Sequence, residues 1–182
     1  MKPEQTAPGA AHVAVARVAG EYRLHANVPF ATGDVLFVIE GREADRPSKF
    51  SLQVDRGIHI EVREGTSLEE QLDNCFWRFL NHSCDPNVVI RGRDVVALRP
   101  IHAMEELAFN YNTTEWDMAE SFTCRCEAAH CAGTIRGFRY LSRAEQERLR
   151  PLLAAYLVEY LDQRPRHGKG VAASLDVVNP AP

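Results

Sequence analysis

At 182 residues, 45% hydrophobic and 25% charged, the chain is long enough for one domain with a real core and ordinary in composition for a globular protein. Its net charge of -4 offers no basic surplus for gripping a phosphate backbone, and no apolar run approaches the length of a membrane span. A cytoplasmic protein is therefore expected, with neither nucleic acid nor membrane among its partners, since residues 1–11 also lack the apolar centre of a secretory signal.

Residues 1–11 and 163–182 are rich in Pro, Gly, Ala and charge without periodicity, and flexible ends are expected there. Between them the chain opens on short strands. Residues 12–18 alternate small apolar side chains, and Val35-Leu36-Phe37-Val38-Ile39 is a continuous apolar run suited to a buried strand. Residues 50–54 and 58–62 alternate around Asp55-Arg56-Gly57, which predicts a hairpin; residues 88–90 and 95–98 predict a second around Arg91-Gly92-Arg93-Asp94. A helix is expected within 67–79, capped by Ser67 with Glu70 three residues on, and Cys75 inside it as a small core residue. Ser142 and Glu145 form a second capping box, after which Leu149, Leu152, Leu153, Tyr156, Leu157, Tyr160 and Leu161 keep helical spacing on one face. Pro151 should kink or divide that helix. Short strands, few helices and turn-rich connections predict a mostly-β domain.

Three strings carry the chemistry. The first is Arg78-Phe79-Leu80-Asn81-His82-Ser83-Cys84-Asp85-Pro86-Asn87, ending in a strong turn signal. Glu106-Leu107-Ala108-Phe109-Asn110-Tyr111-Asn112 follows about one hairpin later, with Glu105 and Glu106 expected as a solvated acidic turn. The third is Cys124-Arg125-Cys126-Glu127-Ala128-Ala129-His130-Cys131. It holds three of the chain's five cysteines, which in a reducing compartment reads as metal-binding or catalytic rather than as a disulfide framework. Zinc takes four ligands in a tetrahedron. A local fourth is His130, although adjacent ligands at 130 and 131 are geometrically awkward.

Together these strings resemble the SET-domain protein methyltransferases with an appended post-SET zinc loop, over about residues 12–141. The resemblance implies a SET-domain fold of small curved sheets (α+β, mostly β) with a pseudoknot. On that pattern a SET domain spans 12–113, a post-SET zinc loop 114–141 and a C-terminal helical segment 142–162, with no room for a pre-SET or reader domain. It implies S-adenosyl-L-methionine as cofactor and Zn2+ held by Cys84, Cys124, Cys126 and Cys131. It implies an amine substrate, foremost a lysine of a protein or peptide, or else a small amine. Tyr111 is then the catalytic residue. Methyl transfer to an amine is an in-line displacement helped mostly by positioning and aimed dipoles.

Asn81 and His82, with Tyr22, Arg23, Tyr111 and Ile135, are the implied cofactor contacts. Phe109, Trp116, Phe138 and Tyr140 are the implied walls of the substrate channel, with packing as the alternative for Trp116, Phe138 and Tyr140. Phe109 lacks the hydroxyl that limits methylation in the family, so capacity beyond monomethylation is implied for a lysine substrate. One departure stands out: the family's Gly-x-Gly falls on Glu21 and Arg23. Arg23 is a candidate partner for the cofactor carboxylate through its forked guanidinium, or else a surface arginine. The same departure motivates a catalytically silent interaction module as an alternative to an enzyme. An enzyme acting on a free amino acid or metabolite is the other.

Overall fold

The computed structural model describes residues 12–163. The expected flexible ends lie outside them, apart from Gln163, which closes the last helix. Strands β1 (Val13–Val18) and β2 (Glu21–Ala26) form a hairpin whose register runs from Val13 opposite Ala26 to Val18 opposite Glu21. The apolar run becomes β3 (Val35–Val38) and is followed by β4 (Arg42–Ala44). The predicted first hairpin is β5 (Leu52–Asp55) with β6 (Ile58–Glu61), and β4 pairs with the other edge of β6.

Helix α1 (Leu68–Asn74) carries the expected capping box but ends sooner than the sequence suggests. Cys75 is its half-buried C-cap rather than a core residue of its interior. A 3₁₀ turn follows over Phe76–Phe79, with Phe76, Trp77 and Phe79 buried and the Trp77 indole donating to Glu40 O at 2.8 Å. Next come β7 (Asn81–His82), β8 (Val88–Arg91), β9 (Asp94–Ala97) and β10 (Ala108–Phe109). The β8–β9 hairpin continues through β9 to β3. Strand β10 runs parallel to β7, with Ala108 opposite Asn81 and Phe109 opposite His82. Ser83 N donates to Phe109 O at 3.0 Å and Asn87 N to Ala108 O at 3.2 Å. The 81–87 and 106–111 segments thus lie locked side by side, where the resemblance puts a pseudoknot.

Strands β11 (Phe122–Thr123) and β12 (Thr134–Ile135) then pair across the cysteine loop. Helices α2 (Arg143–Arg148) and α3 (Ala155–Gln163) are separated by a 3₁₀ turn that holds Pro151, the division the proline predicts. Five small sheets and three short helices make the described residues mostly β. None of the helices is long and apolar enough to cross a membrane.

Two hydrophobic clusters hold this together. The larger draws on residues 13–109; the smaller joins Phe138 to Leu149, Leu153, Tyr156, Leu157 and Leu161. No seam separates them at residue 113. Ala154 N donates to Thr113 O at 2.8 Å, and the Tyr156 hydroxyl donates to Thr114 O.

Candidate active site

The string at 81–87 earns its polar residues one by one. Asn87 is buried: its Oδ1 accepts from Ala108 N at 2.9 Å and its amide donates to Glu106 O at 2.8 Å and Glu105 Oε1 at 3.0 Å. It therefore stitches the two interlocked segments together. Asn81 Nδ2 donates to Glu106 Oε1 at 2.9 Å and faces Tyr22 O at 3.4 Å. His82 Nδ1 accepts from Tyr111 N at 3.2 Å, so its proton sits on Nε2, which lies 3.3 Å from Cys84 Sγ. Burial lowers the His82 pKa to about 4, so the ring stays neutral and keeps this tautomer.

Glu105 and Glu106 are not the solvated turn expected. Glu105 is bonded to Arg99 at 2.6 Å and takes His102 N at 3.0 Å. Against the opposing effect of burial, Arg99, the His102 N–H and Asn87 hold its carboxyl at about 2. Glu106 bridges Asn81 and Arg23, whose guanidinium reaches it at 2.8 Å. Both acids face inward because the 106–111 segment is pinned against 81–87.

The departure from Gly-x-Gly has a simple structural form. Glu21 and Arg23 occupy regular strand positions in β2, paired with Val18 and Ala16, and neither has a positive φ. Side chains alternate along a strand, so 21 and 23 face a large cleft while Tyr22 turns to the core, edge-on to Phe79 at 5.6 Å. What Tyr22 offers Asn81 is its carbonyl, not its ring. Arg23 Nε is buried and has no partner among the described residues.

That cleft measures about 950 Å³. Arg23, Asn81, His82, Glu106, Tyr111 and Phe122 line it. Beside it lies a narrow cavity of about 110 Å³, walled by Leu80, Phe109, Tyr111 and Glu115. Tyr111 lines both. It opens a 3₁₀ turn, its ring lies 4.8 Å from that of Phe109, and its hydroxyl donates to Leu80 O at 2.8 Å. Burial raises its pKa further above the ordinary phenol value. Lys49 and Glu120, paired at 2.9 Å, border both spaces.

The other expected channel residues are not brought here. Phe138 is fully buried in the C-terminal cluster, and Trp116 packs edge-on to Tyr160 at 4.5 Å, facing a separate cavity of about 590 Å³. Tyr140 is exposed, with the Arg136 guanidinium 4.1 Å from its ring centroid. Ile135 is fully buried beside β11, and neither the cleft nor the narrow cavity includes it. The ring that does reach over the site is Phe122, 5.7 Å from His82 and 5.9 Å from Tyr111. Phe122 and Glu115 were not singled out in the sequence; the apolar residue two places before Cys124 is the one signal for Phe122.

The cysteines converge. The sulfurs of Cys84, Cys124, Cys126 and Cys131 all lie within 4.8 Å of one another. His130 stays outside the group, with Nε2 2.9 Å from Cys84 O. Four sulfurs so close suit a tetrahedral zinc, whose bonds of about 2.3 Å put ligand sulfurs a little under 4 Å apart. Cys84 and Cys131 are 4.0 Å apart.

Residues 21–112 match the SET domain family. Among curated proteins, the chain is 34% identical over 102 residues to Methyltransferase flvH of Aspergillus flavus, covering 52% of this chain and 49% of that one. It is 34% identical over 113 residues to Histone-lysine N-methyltransferase ash1 of Drosophila melanogaster, covering 58% of this chain and 4% of that one. The chain thus spans about half of the first relative's length and a small part of the second's. A crystal structure of KRYPTONITE in complex with mCHG DNA and SAH aligns with a TM-score of 0.49 at 21% identity, over 67% of this chain and 28% of that one.

Proposed function

Because the chain belongs to the SET-domain family, we propose that it transfers a methyl group from S-adenosyl-L-methionine to an amine, the side chain of a protein or peptide lysine. One observation carries the reading: a wide charged cleft and a narrow cavity of mixed apolar and charged lining share Tyr111 as a common wall. The cleft suits the cofactor's amino-acid end, which carries an ammonium and a carboxylate. Glu106 offers the matching anion, flanked by the Arg23 guanidinium as the matching cation and by the Asn81 carboxamide. Bound there, S-adenosyl-L-methionine supplies a methyl carried on a sulfonium.

The narrow cavity suits a slim alkylamine. Tyr111 acts at the junction: its hydroxyl proton is committed to Leu80 O, which leaves the oxygen's lone pairs as acceptors. Cys84, Cys124, Cys126 and Cys131 would hold zinc as a structural ion that fixes the loop beneath Phe122. It supplies folding energy rather than chemistry.

Methyl-labelled cofactor, incubated with the protein and an array of lysine peptides, tests the reading; label in a peptide is the expected result. Transfer to free amino acids alone would favour the small-molecule enzyme. No detectable cofactor binding, with no transfer to any amine, would favour the interaction module. Two variants refine it. Arg23→Ala is expected to raise the cofactor Kd about tenfold or more by calorimetry, the worth of a hydrogen bond between charged groups. Equal affinity would put Arg23 outside the cofactor site. Phe109→Tyr adds a hydroxyl to the narrow cavity and is expected to shift products from di- and trimethyl toward monomethyl lysine by mass spectrometry. A wild-type spectrum holding only monomethyl product at long times would sink that expectation.

A further inference from the structure

The segment after Tyr111 is fixed from several sides at once. Glu115 N donates to Tyr111 O at 2.9 Å, Phe138 N donates to Glu115 O at 2.7 Å, and Trp116 N donates to Gln53 Oε1 at 2.8 Å. Gly137 makes room for this: its φ is +114°, and a Cβ there would sit 2.7 Å from Trp116 O. Held in this way, Trp116 turns toward the C-terminal helix and Glu115 turns toward the narrow cavity.

Glu115 is 6% exposed. Its Oε1 accepts from Gln53 N at 2.8 Å, and no donor among the described residues meets its second oxygen. The Tyr111 and Tyr156 phenols are its titratable neighbours, and both are pushed up chiefly by their own burial and then by its charge. Lys49, Arg78 and Glu120 line the same cavity. Burial raises the Glu115 carboxyl to about 7, outweighing the Gln53 N–H, which acts in the other direction. A glutamine of the same shape would accept that N–H equally well. What glutamine cannot provide is a negative charge, and burying one is costly unless something answers it.

We propose that Glu115 receives the substrate's alkylammonium in the narrow cavity and takes its proton, presenting a neutral amine beside Tyr111. The proposal rests on the methyl-transfer reading and adds the base that reading lacks. The N–H bond of the ammonium breaks, its electron pair stays on nitrogen, and the proton binds the free carboxylate oxygen of Glu115. That lone pair then forms the N–C bond as the donor's C–S bond breaks with its pair on sulfur. The proton returns to water after the product leaves. A free lysine at neutral pH is almost wholly protonated, with a pKa of about 10.4, and a base poised near the working pH is the efficient remedy.

The test is carbon-13 carboxyl NMR of glutamate-labelled protein, with Glu115→Gln identifying the signal and n-butylammonium as the probe. A midpoint near neutrality that moves to lower pH on adding the probe is expected, since a bound cation stabilises the carboxylate. A midpoint that ignores the probe, or a carboxyl ionised throughout pH 5–9, overturns the proposal. On a peptide the wild type methylates, kcat/KM should rise as Glu115 ionises. Glu115→Gln should lose that rise and run about 10²-fold slower at pH 7, recovering as pH approaches the amine's own pKa. Glu115→Asp should keep the rise at reduced rate. Identical profiles for wild type and Glu115→Gln also overturn it. A carboxyl that responds to n-butylammonium in a protein that transfers no methyl would keep the amine site and reject the transfer reading.

Misfolding is separable by its sign. The folded-state pKa lies above the ordinary value of 4.5, so this group costs the fold stability as pH rises from there through about 7. Glu115→Gln should therefore raise Tm above pH 7 while lowering activity.

Discussion

Tyr111→Phe is expected to lower kcat by about 10²–10³-fold, the effect of removing one aimed dipole from a reaction centre. The Kd for S-adenosyl-L-methionine should stay within about threefold, under 1 kcal/mol. The substitution keeps the ring, so packing against Phe109 at 4.8 Å and His82 at 5.2 Å persists. The backbone N–H to His82 at 3.2 Å persists too. What is lost is the hydroxyl of the residue that lines both cavities, and with it the donor to Leu80 O. An unsatisfied Leu80 carbonyl costs about 1–3 kcal/mol, which in a domain of this size lowers Tm by several degrees. Single-turnover rates measured at saturating cofactor, beside calorimetric Kd values, separate the two effects. A kcat within threefold of wild type would remove Tyr111 from the chemistry.

Stripping zinc is expected to unfold the loop and weaken cofactor binding together. Metal analysis should find one zinc per chain, and chelation or Cys84→Ser should lower Tm by about 10 °C or more, given that structural zinc sites carry many kcal/mol of folding energy. The coupling to cofactor binding follows from chain connectivity. Three ligands come from the cysteine loop, but Cys84 belongs to the segment interlocked with 106–111. His82 lies between Cys84 and Tyr111, one nitrogen 3.3 Å from Cys84 Sγ and the other accepting from Tyr111 N. Losing the metal frees Cys84 and, through that ring, the backbone of Tyr111. Protein that purifies without metal, or a Tm indifferent to chelators, would reject the centre.

Local signals were legible where local physics decides. Both capping boxes, both predicted hairpins and the division of the last helix at Pro151 follow from interactions within a few residues. The parallel pairing of β7 with β10 joins segments more than twenty residues apart, and only the resemblance pointed to it. The same long-range contact misled the reading of Glu105 and Glu106, whose sequence looks like a wet turn until Arg23, Asn81 and Arg99 are brought to it. The channel walls show a finer limit. A motif gives a residue's place in the chain but not the side to which it turns. Strand alternation hides Tyr22, the C-terminal cluster claims Phe138 and Trp116, and Glu115, one residue before Trp116, turns into the cavity instead.

The fastening of residues 113 and 114 to Ala154 and Tyr156 also sets an order of assembly during translation. A nascent chain that has emerged only as far as the cysteine loop already owns Tyr111 and all four thiols. The wall that carries Glu115 already has Tyr111 and Gln53 as anchors, but its C-terminal fastening waits until Ala154 and Tyr156 leave the exit tunnel. At about 5–20 residues per second that gap lasts a few seconds. Throughout it the four clustered thiols are all present while residues 113 and 114 still lack their partners in the C-terminal segment.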